Sequence, residues 1–233
     1  MNYLIIIPAR GGSKGIPKKN IVEINSLPLI QYTITAALGV AAARPDISAI
    51  VSTDDEEIKD VALNAGIDVP FLRPFRLSDD TSASSEYVKH AIEFYSQQGV
   101  TVKNIVILQP TSPLRVTQDV LTSIELFEKE NKLSLISVYE EHTINSKIIY
   151  TQNGNVGRPA SLKHSAGMRR QDDAPFLVRN GAIYITNVKF FQESSRIVSD
   201  EPLIYVMPKY RSINIDTPED LKLAYKIFKL NKK

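Results

Sequence analysis

The chain has 233 residues, 43% of them hydrophobic and 23% charged, with a formal net charge of +2 and no cysteine. Those values fit one folded domain with a modest extra lobe. They exclude disulfides, thiolate metal sites, cysteine nucleophiles and the strongly basic surface of a duplex nucleic-acid binder.

In chain order, residues 4–8 (LIIIP) read as a buried strand and 29–42 as a helix. Residues 49–53 (AIVST) read as a second strand, running into an acidic helix start at Asp54, Asp55, Glu56 and Glu57. A short third strand is expected over 68–72. A helix is expected over 85–97, with Val88, Ala91, Ile92 and Tyr95 on one face. Residues 104–108 (NIVIL) form the fourth strand, 117–129 a helix and 133–138 (LSLISV) the fifth strand. Wholly apolar strands alternating with helices predict an α/β fold, a doubly wound and mostly parallel sheet covered on both faces.

Residues 140–178 break this pattern with Asn153, Gly154, Asn155, Gly157, Pro159, Gly167 and Pro175, and read as a small inserted arm. Strands over 182–185 and 203–207 and a helix over 218–230 return to the main unit, with Thr217 as its N-cap and Pro218 at its first position. The expected division is an α/β domain of 1–139 and 179–233 carrying an arm of 140–178. The apolar runs are far shorter than the ~20 residues of a membrane helix, and no basic-then-apolar leader precedes the first strand pattern. A cytoplasmic protein is expected, with neither nucleic acid nor membrane as partner.

In such sheets ligands sit beyond the carboxyl ends of the strands. After the first strand, residues 10–20 read RGGSKGIPKKN, three glycines and four cations in one loop. Glycines let backbone N–H groups approach an anion, and the cations balance its charge, so a triphosphate is the natural guest. The order of Gly, Lys and Ser matches neither the P-loop nor the dinucleotide fingerprint. The plainer reading is a solvated surface loop, which its place after the first strand disfavours.

The longer run IPARGGSKGIPKKN resembles the opening signature of the acylneuraminate cytidylyltransferases, the CMP-sialic acid synthetases. The resemblance implies that Arg10, Gly11, Gly12, Ser13, Lys14 and Lys19 hold the triphosphate of CTP, with Asn20 beside the nucleotide. The "STDD" run from Ser52 also occurs in the family, but a helix cap explains it first. Residues 73–82, RPFRLSDDTS, resemble the segment that lies over base and ribose, which points to Arg73, Asp80 and Ser82. Residues 108–115, LQPTSPLR, resemble a sugar-side signature and imply Gln109, Thr111, Ser112 and Arg115.

Further on, RRQD from Arg169 and NGAIYI from Asn180 resemble the family's sugar pocket. Asn180 and Gly181 would line it, and Arg170 or Arg179 would meet the sugar carboxylate. Several relatives place that arginine two residues before the Asn-Gly pair, whereas Arg179 adjoins it. Residues 213–220, INIDTPED, resemble a metal-binding strand on which positions 214 and 216 share a face. Relatives carry Asp at both, but this chain has Asn214, which ligates Mg²⁺ without charge, so Asp216 is the main ligand candidate.

Taken together, the resemblance implies a nucleotidyl transfer in which Lys14, Lys19 and Asp216 carry the catalysis. CTP and a nine-carbon acidic sugar would give a CMP-sugar and pyrophosphate, with Mg²⁺ as cofactor. N-acetylneuraminate is the first expectation for the sugar. Legionaminic or pseudaminic acid is the alternative, as is a catalytically silent nucleotide-binding homologue, which Asn214 favours. None of His90, His142 and His164 lies in a family motif, so no histidine base is expected. The inserted arm implies a homodimer, because the family's arm crosses to a second subunit.

Overall fold

A computed structural model describes residues 1–13, 15–79, 83–144, 148–161 and 175–230. The first strand, β1 (Tyr3–Pro8), is followed by a short hairpin, β2 (Glu23–Ile24) and β3 (Leu27–Pro28), and by α1 (Leu29–Ala43). Next come β4 (Ile47–Ser52), α2 (Glu56–Asn64), α3 (Ser84–Gln97), β5 (Asn104–Ile107), α4 (Thr117–Glu130) and β6 (Ser134–Glu141). A second hairpin of β7 (Tyr150–Asn153) and β8 (Val156–Pro159) precedes β9 (Phe176–Asn187), α5 (Val188–Ser194), β10 (Leu203–Val206) and α6 (Pro218–Leu230).

Six strands form the central sheet in the order β10-β6-β9-β5-β1-β4. Five run in one direction, and β9 lies antiparallel to both neighbours, β5 and β6. Side chains of β1 alternate between two apolar layers, as the period of two requires. Ile5 and Ile7 pack with Ile34 of α1 and Ile124 of α4, while Leu4 and Ile6 pack with Val88 of α3 and Phe191 of α5. Each is fully buried, so truncation of any one to alanine removes about 2–5 kcal/mol.

The third strand expected at 68–72 reduces to two isolated parallel bridges, Ile50 with Asp68 and Thr53 with Leu72. Pro70 lies between them and has no N–H to give a ladder. The strand expected at 182–185 is instead the twelve-residue β9. Its first half continues the ladder with β6 through Tyr139–Val178, Glu140–Leu177 and Glu141–Phe176, past the expected arm boundaries at 139 and 179. The register shifts between Ile136–Tyr184 and Val138–Arg179, so Asn180 to Ile183 bulge out of the ladder. Gly181 supplies the positive φ of +75° there.

Two caps set helix starts at the same edge of the sheet. Asp55 accepts from the N–H groups of Glu57 (2.8 Å) and Ile58 (3.0 Å) at the start of α2. Thr217 Oγ1 accepts from Asp220 N (3.2 Å) and Asp220 Oδ2 accepts from Thr217 N (2.8 Å), so the expected N-cap Thr217 is completed by Asp220 into a reciprocal capping box before α6. Among the described residues no helix is long and apolar enough to cross a membrane.

Candidate active site

The carboxyl ends of β1, β4, β5 and β6 lie at one edge of the sheet, and antiparallel β9 enters the sheet there. A cleft of about 400 Å³ opens at this edge. Its walls are Arg10, Ser13, Gly15, Lys19 and Asn20 after β1, and Arg73, Leu77, Ser78 and Asp79 after α2. Ser84 and Tyr87 of α3, Gln109, Pro110 and Thr111 after β5, and Asp216 before α6 complete it.

The loop after β1 is held by its neighbours. Asn20 is buried and donates from Nδ2 to the Arg10 carbonyl (2.9 Å). Gly11 N donates to Asp54 Oδ1 (3.1 Å), and Arg10 Nη1 reaches across to the Asp79 carbonyl (3.1 Å). Close approach of neighbouring atoms explains two of the glycines. A Cβ on Gly11 would stand 2.9 Å from the Asp55 Cβ, and one on Gly15 would stand 2.6 Å from the Asp216 carbonyl oxygen. Gly12 faces open space.

Cations and carboxylates meet at both ends of the cleft. Lys19 Nζ pairs with Asp216 Oδ1 at 2.8 Å, and the Asp216 side chain stays 57% exposed. Asn214 donates its amide to the other Asp216 oxygen, and its own Oδ1 is buried without a partner. Arg73 is 5% exposed, lies 3.7 Å from Asp54 Oδ1 and stacks over the Tyr87 ring with 5.5 Å to the centroid. Burial pulls its guanidinium below the usual arginine range, and the Asp54 charge opposes this.

A sequence model described as "Cytidylyltransferase" matches residues 4–231. This chain belongs to the cytidylyltransferase family. A pseudaminic acid cytidylyltransferase of Campylobacter jejuni is 34% identical to it, over 99% of this chain and 98% of that protein. A CMP-N,N'-diacetyllegionaminic acid synthase of Legionella pneumophila is 33% identical, over 99% and 98%. An N-acylneuraminate cytidylyltransferase of Streptococcus agalactiae is 32% identical over 94% of this chain but only 52% of that protein. A solved CMP:2-keto-3-deoxy-manno-octonic acid synthetase complexed with CTP shares the fold, with a TM-score of 0.68 at 18% identity over 99% of this chain and 100% of that one.

The enzyme is thus a nucleotidyltransferase, and its cleft gathers eight of the expected residues. Arg10, Ser13, Lys19, Asn20, Arg73, Gln109, Thr111 and Asp216 line it. Lys14, Asp80, Ser82 and Arg170 lie outside the described residues.

Four expected sugar contacts are placed differently. Arg115 is 2% exposed and donates to the carbonyls of Gln109 (3.2 Å) and Ala182 (2.8 Å) and to Thr33 Oγ1 (2.7 Å). It stands behind Gln109 as a brace, and burial lowers its guanidinium to about 9, still protonated at neutral pH. Ser112 is wholly buried. Asn180 is buried, accepting from Ser137 Oγ (2.6 Å) and Ala182 N (3.1 Å) and donating to Ser212 Oγ (2.9 Å) and Met207 Sδ (3.3 Å). Arg179 is exposed in the β6–β9 ladder and does not line the cleft. The Asn-Gly pair shapes a bulge, and its amide ties β6 and β9 to the segment carrying Asp216.

Two features escaped the sequence reading. Asp54, read as helix-start chemistry, is the half-buried link between Gly11 and Arg73, while Asp55 is the cap. Tyr87 is a buried side chain of the cleft wall that only its closeness to the RPFRLSDD segment could have flagged; Ser78, one of that segment's own serines, is buried on the same wall. As for a metal, the described residues hold no group of three or more His, Asp or Glu able to bind one. Asp216 with the amide of Asn214 nevertheless fits Mg²⁺, which is commonly held by one or two protein carboxylates plus substrate phosphates. Asn214 Oδ1 has no hydrogen-bond partner among the described residues and would be the ligand atom of such a site once the amide turned it, in place of Nδ2, toward Asp216.

Proposed function

We propose that this cytidylyltransferase transfers CMP from CTP to the anomeric hydroxyl of a nonulosonic acid. The sugar oxygen attacks the α-phosphorus in line, the bond to the bridging oxygen breaks, and pyrophosphate leaves as the hydroxyl loses its proton. The observation that carries this reading is the convergence of Lys19, Arg73, Gln109 and Asp216 on one cleft. They come from four segments that are far apart in sequence. Relatives of matching length named for pseudaminic and legionaminic acids support the sugar class.

In this reading Arg10, Ser13, Lys14 and Lys19 bind the triphosphate, and the two lysines balance charge that moves onto pyrophosphate. Gly12 leaves the loop backbone open to the phosphates. Arg73 with Asp80 and Ser82 fixes the base and ribose. Gln109 and Thr111 face the sugar, and Arg170 takes its carboxylate. Arg115, Ser112, Asn180 and Gly181 hold these loops in place. Mg²⁺ held by Asp216, Asn214 and phosphate oxygens would neutralise charge on the triphosphate. Positioning and charge neutralisation dominate such transfers, so no histidine base is needed.

N-acetylneuraminate was the first expectation for the sugar. Relatives of matching length named for pseudaminic and legionaminic acids support testing those acids beside it, so all three belong in one panel. The arm and the ladder beneath it carry exposed Ile144, Ile148, Tyr150, Val156, Phe176 and Leu177, which favours a second copy covering them. We therefore propose a cytoplasmic homodimer. The test is pyrophosphate release from purified protein with Mg²⁺, CTP and that panel, with ATP, GTP and UTP as parallel donors. Turnover with CTP and at least one of the acids is expected. Absence of turnover with every acid in the panel would refute the reading. Light scattering at assay concentration should give twice the chain mass.

A further inference from the structure

We infer that Tyr87 is a positioning residue that couples the nucleotide side of the cleft to Gln109. Tyr87 sits in the fourth position of α3, on the face turned toward the sheet, and is only 7% exposed. Its ring carries the Arg73 guanidinium at 5.5 Å, and Arg73 lies beside Asp54, which accepts from the phosphate-loop N–H of Gly11. A continuous line of contacts therefore runs from the loop after β1, along the cleft floor, to the Tyr87 ring.

The hydroxyl extends the line toward the sugar side. Ser84 and Gln109 line the same cleft as Tyr87, and burial raises the Tyr87 pKa to about 12. Yet the oxygen is buried without a hydrogen bond among the described residues. Arg73 Nε and Ser78 Oγ, on the same wall, are buried and partnerless as well. Leaving three polar atoms unpaired is costly unless something completes them. A ligand seated in this cleft completes them when the hydroxyl and Gln109 close on each other around it. A purely structural core tyrosine would need neither a place in the cleft wall nor a cation on its ring.

This inference rests on the proposed reaction, and Tyr87→Phe isolates it because the ring and its packing are kept. The variant should fold with an unchanged thermal midpoint and keep its Kd for CTP, measured by calorimetry, within about twofold. Its KM for the sugar acid should rise about fivefold to tenfold, the usual range for one lost hydrogen bond. In a Tyr87→Phe, Gln109→Ala double variant the loss should match that of Gln109→Ala alone. Tyr87→Leu removes the ring too and should weaken CTP binding about tenfold, a loss that Phe at the same position restores.

An unchanged sugar KM in Tyr87→Phe, or equal losses for both substrates, would overturn the coupling. If Tyr87→Leu does not fold, the Phe variant and the double-variant comparison decide alone. A wild type that turns over no sugar sinks the reading of function instead. The Arg73 side is then decided by CTP binding, with equal Kd values for the Phe and Leu variants counting against it.

Discussion

Around β1, β4 and β5 the strands are parallel, buried on both faces and joined through helices, whereas across β6, β9 and β10 the sheet reverses, bulges and carries an exposed hairpin. The first region forms its part of the cleft from short loops that follow directly from buried strands. The second places its residues through contacts between segments distant in the chain. Asn180 ties Ser137, Met207 and Ser212 together, Arg211 reaches buried Asp119 at 2.6 Å, and Ile215 N bonds to the Thr111 carbonyl at 2.8 Å. The side of the cleft formed by the loop after β1 is thus largely local in origin, and the Asp216 side is delivered by long-range ties.

That contrast breaks most sharply where the two regions touch, at the Lys19–Asp216 pair. Lys19→Ala and Asp216→Ala should each lower kcat about 10²- to 10³-fold with little change in thermal midpoint. Near-normal turnover in either variant would show that the pair is a surface contact only. Steady-state pyrophosphate release is the readout.

Loss of a long-range tie should act on stability first. Asn180→Ala leaves the Ser137 hydroxyl without one of its buried partners and frees the 207–212 segment, costing about 2–4 kcal/mol in urea unfolding. If the variant is as stable as wild type, the bulge is held by Gly181 and backbone pairing instead.

Gly15→Ala sharpens the comparison at the seam, because its new Cβ meets backbone that cannot swing aside. We expect about a tenfold loss in kcat/KM with a stability cost near 1 kcal/mol. Gly12→Ala, in open space, should leave stability nearly unchanged yet lower kcat/KM, because its methyl group stands where the proposed triphosphate would lie.

The smallest effect concerns pH. Lys209, followed by Thr143, holds the Glu141 carboxyl down at about 2, below its ordinary 4.5. A depressed carboxyl stabilises the fold fully above its unfolded value, and that contribution is lost as pH falls through about 2. Amide exchange over 207–212 should therefore accelerate as pH drops from about 5 toward 2, after correction for intrinsic rates. Glu141→Gln should remove that dependence, and identical pH profiles in the two proteins would exclude the contact as an anchor.

Residues 4–8, 10–20 and 104–115 made the glycine-rich loop after β1 and the Gln109 loop legible, because strand hydrophobicity, glycines and prolines are written locally. Tyr87 was not legible, since a tyrosine on the buried face of a helix reads as core until Arg73 is seen on its ring. The aborted third strand was hidden because neighbouring apolar residues outweighed Pro70. Arg115 and Asn180 carried a family signature, yet that signature could not say whether they touch a ligand or brace the loops that do.

From the chain alone came the alternation of buried strands and helices, the cationic glycine loop and the motif order, all set by side-chain type and short-range spacing. Only the folded molecule decided that β9 runs backwards between β5 and β6, that Asp54 and not Asp55 accepts from Gly11 N in the loop after β1, and that Asp216 lies against Lys19, 197 positions earlier. Those outcomes depend on which buried polar groups find partners across the sheet, and pairing of that kind leaves no local mark in the sequence.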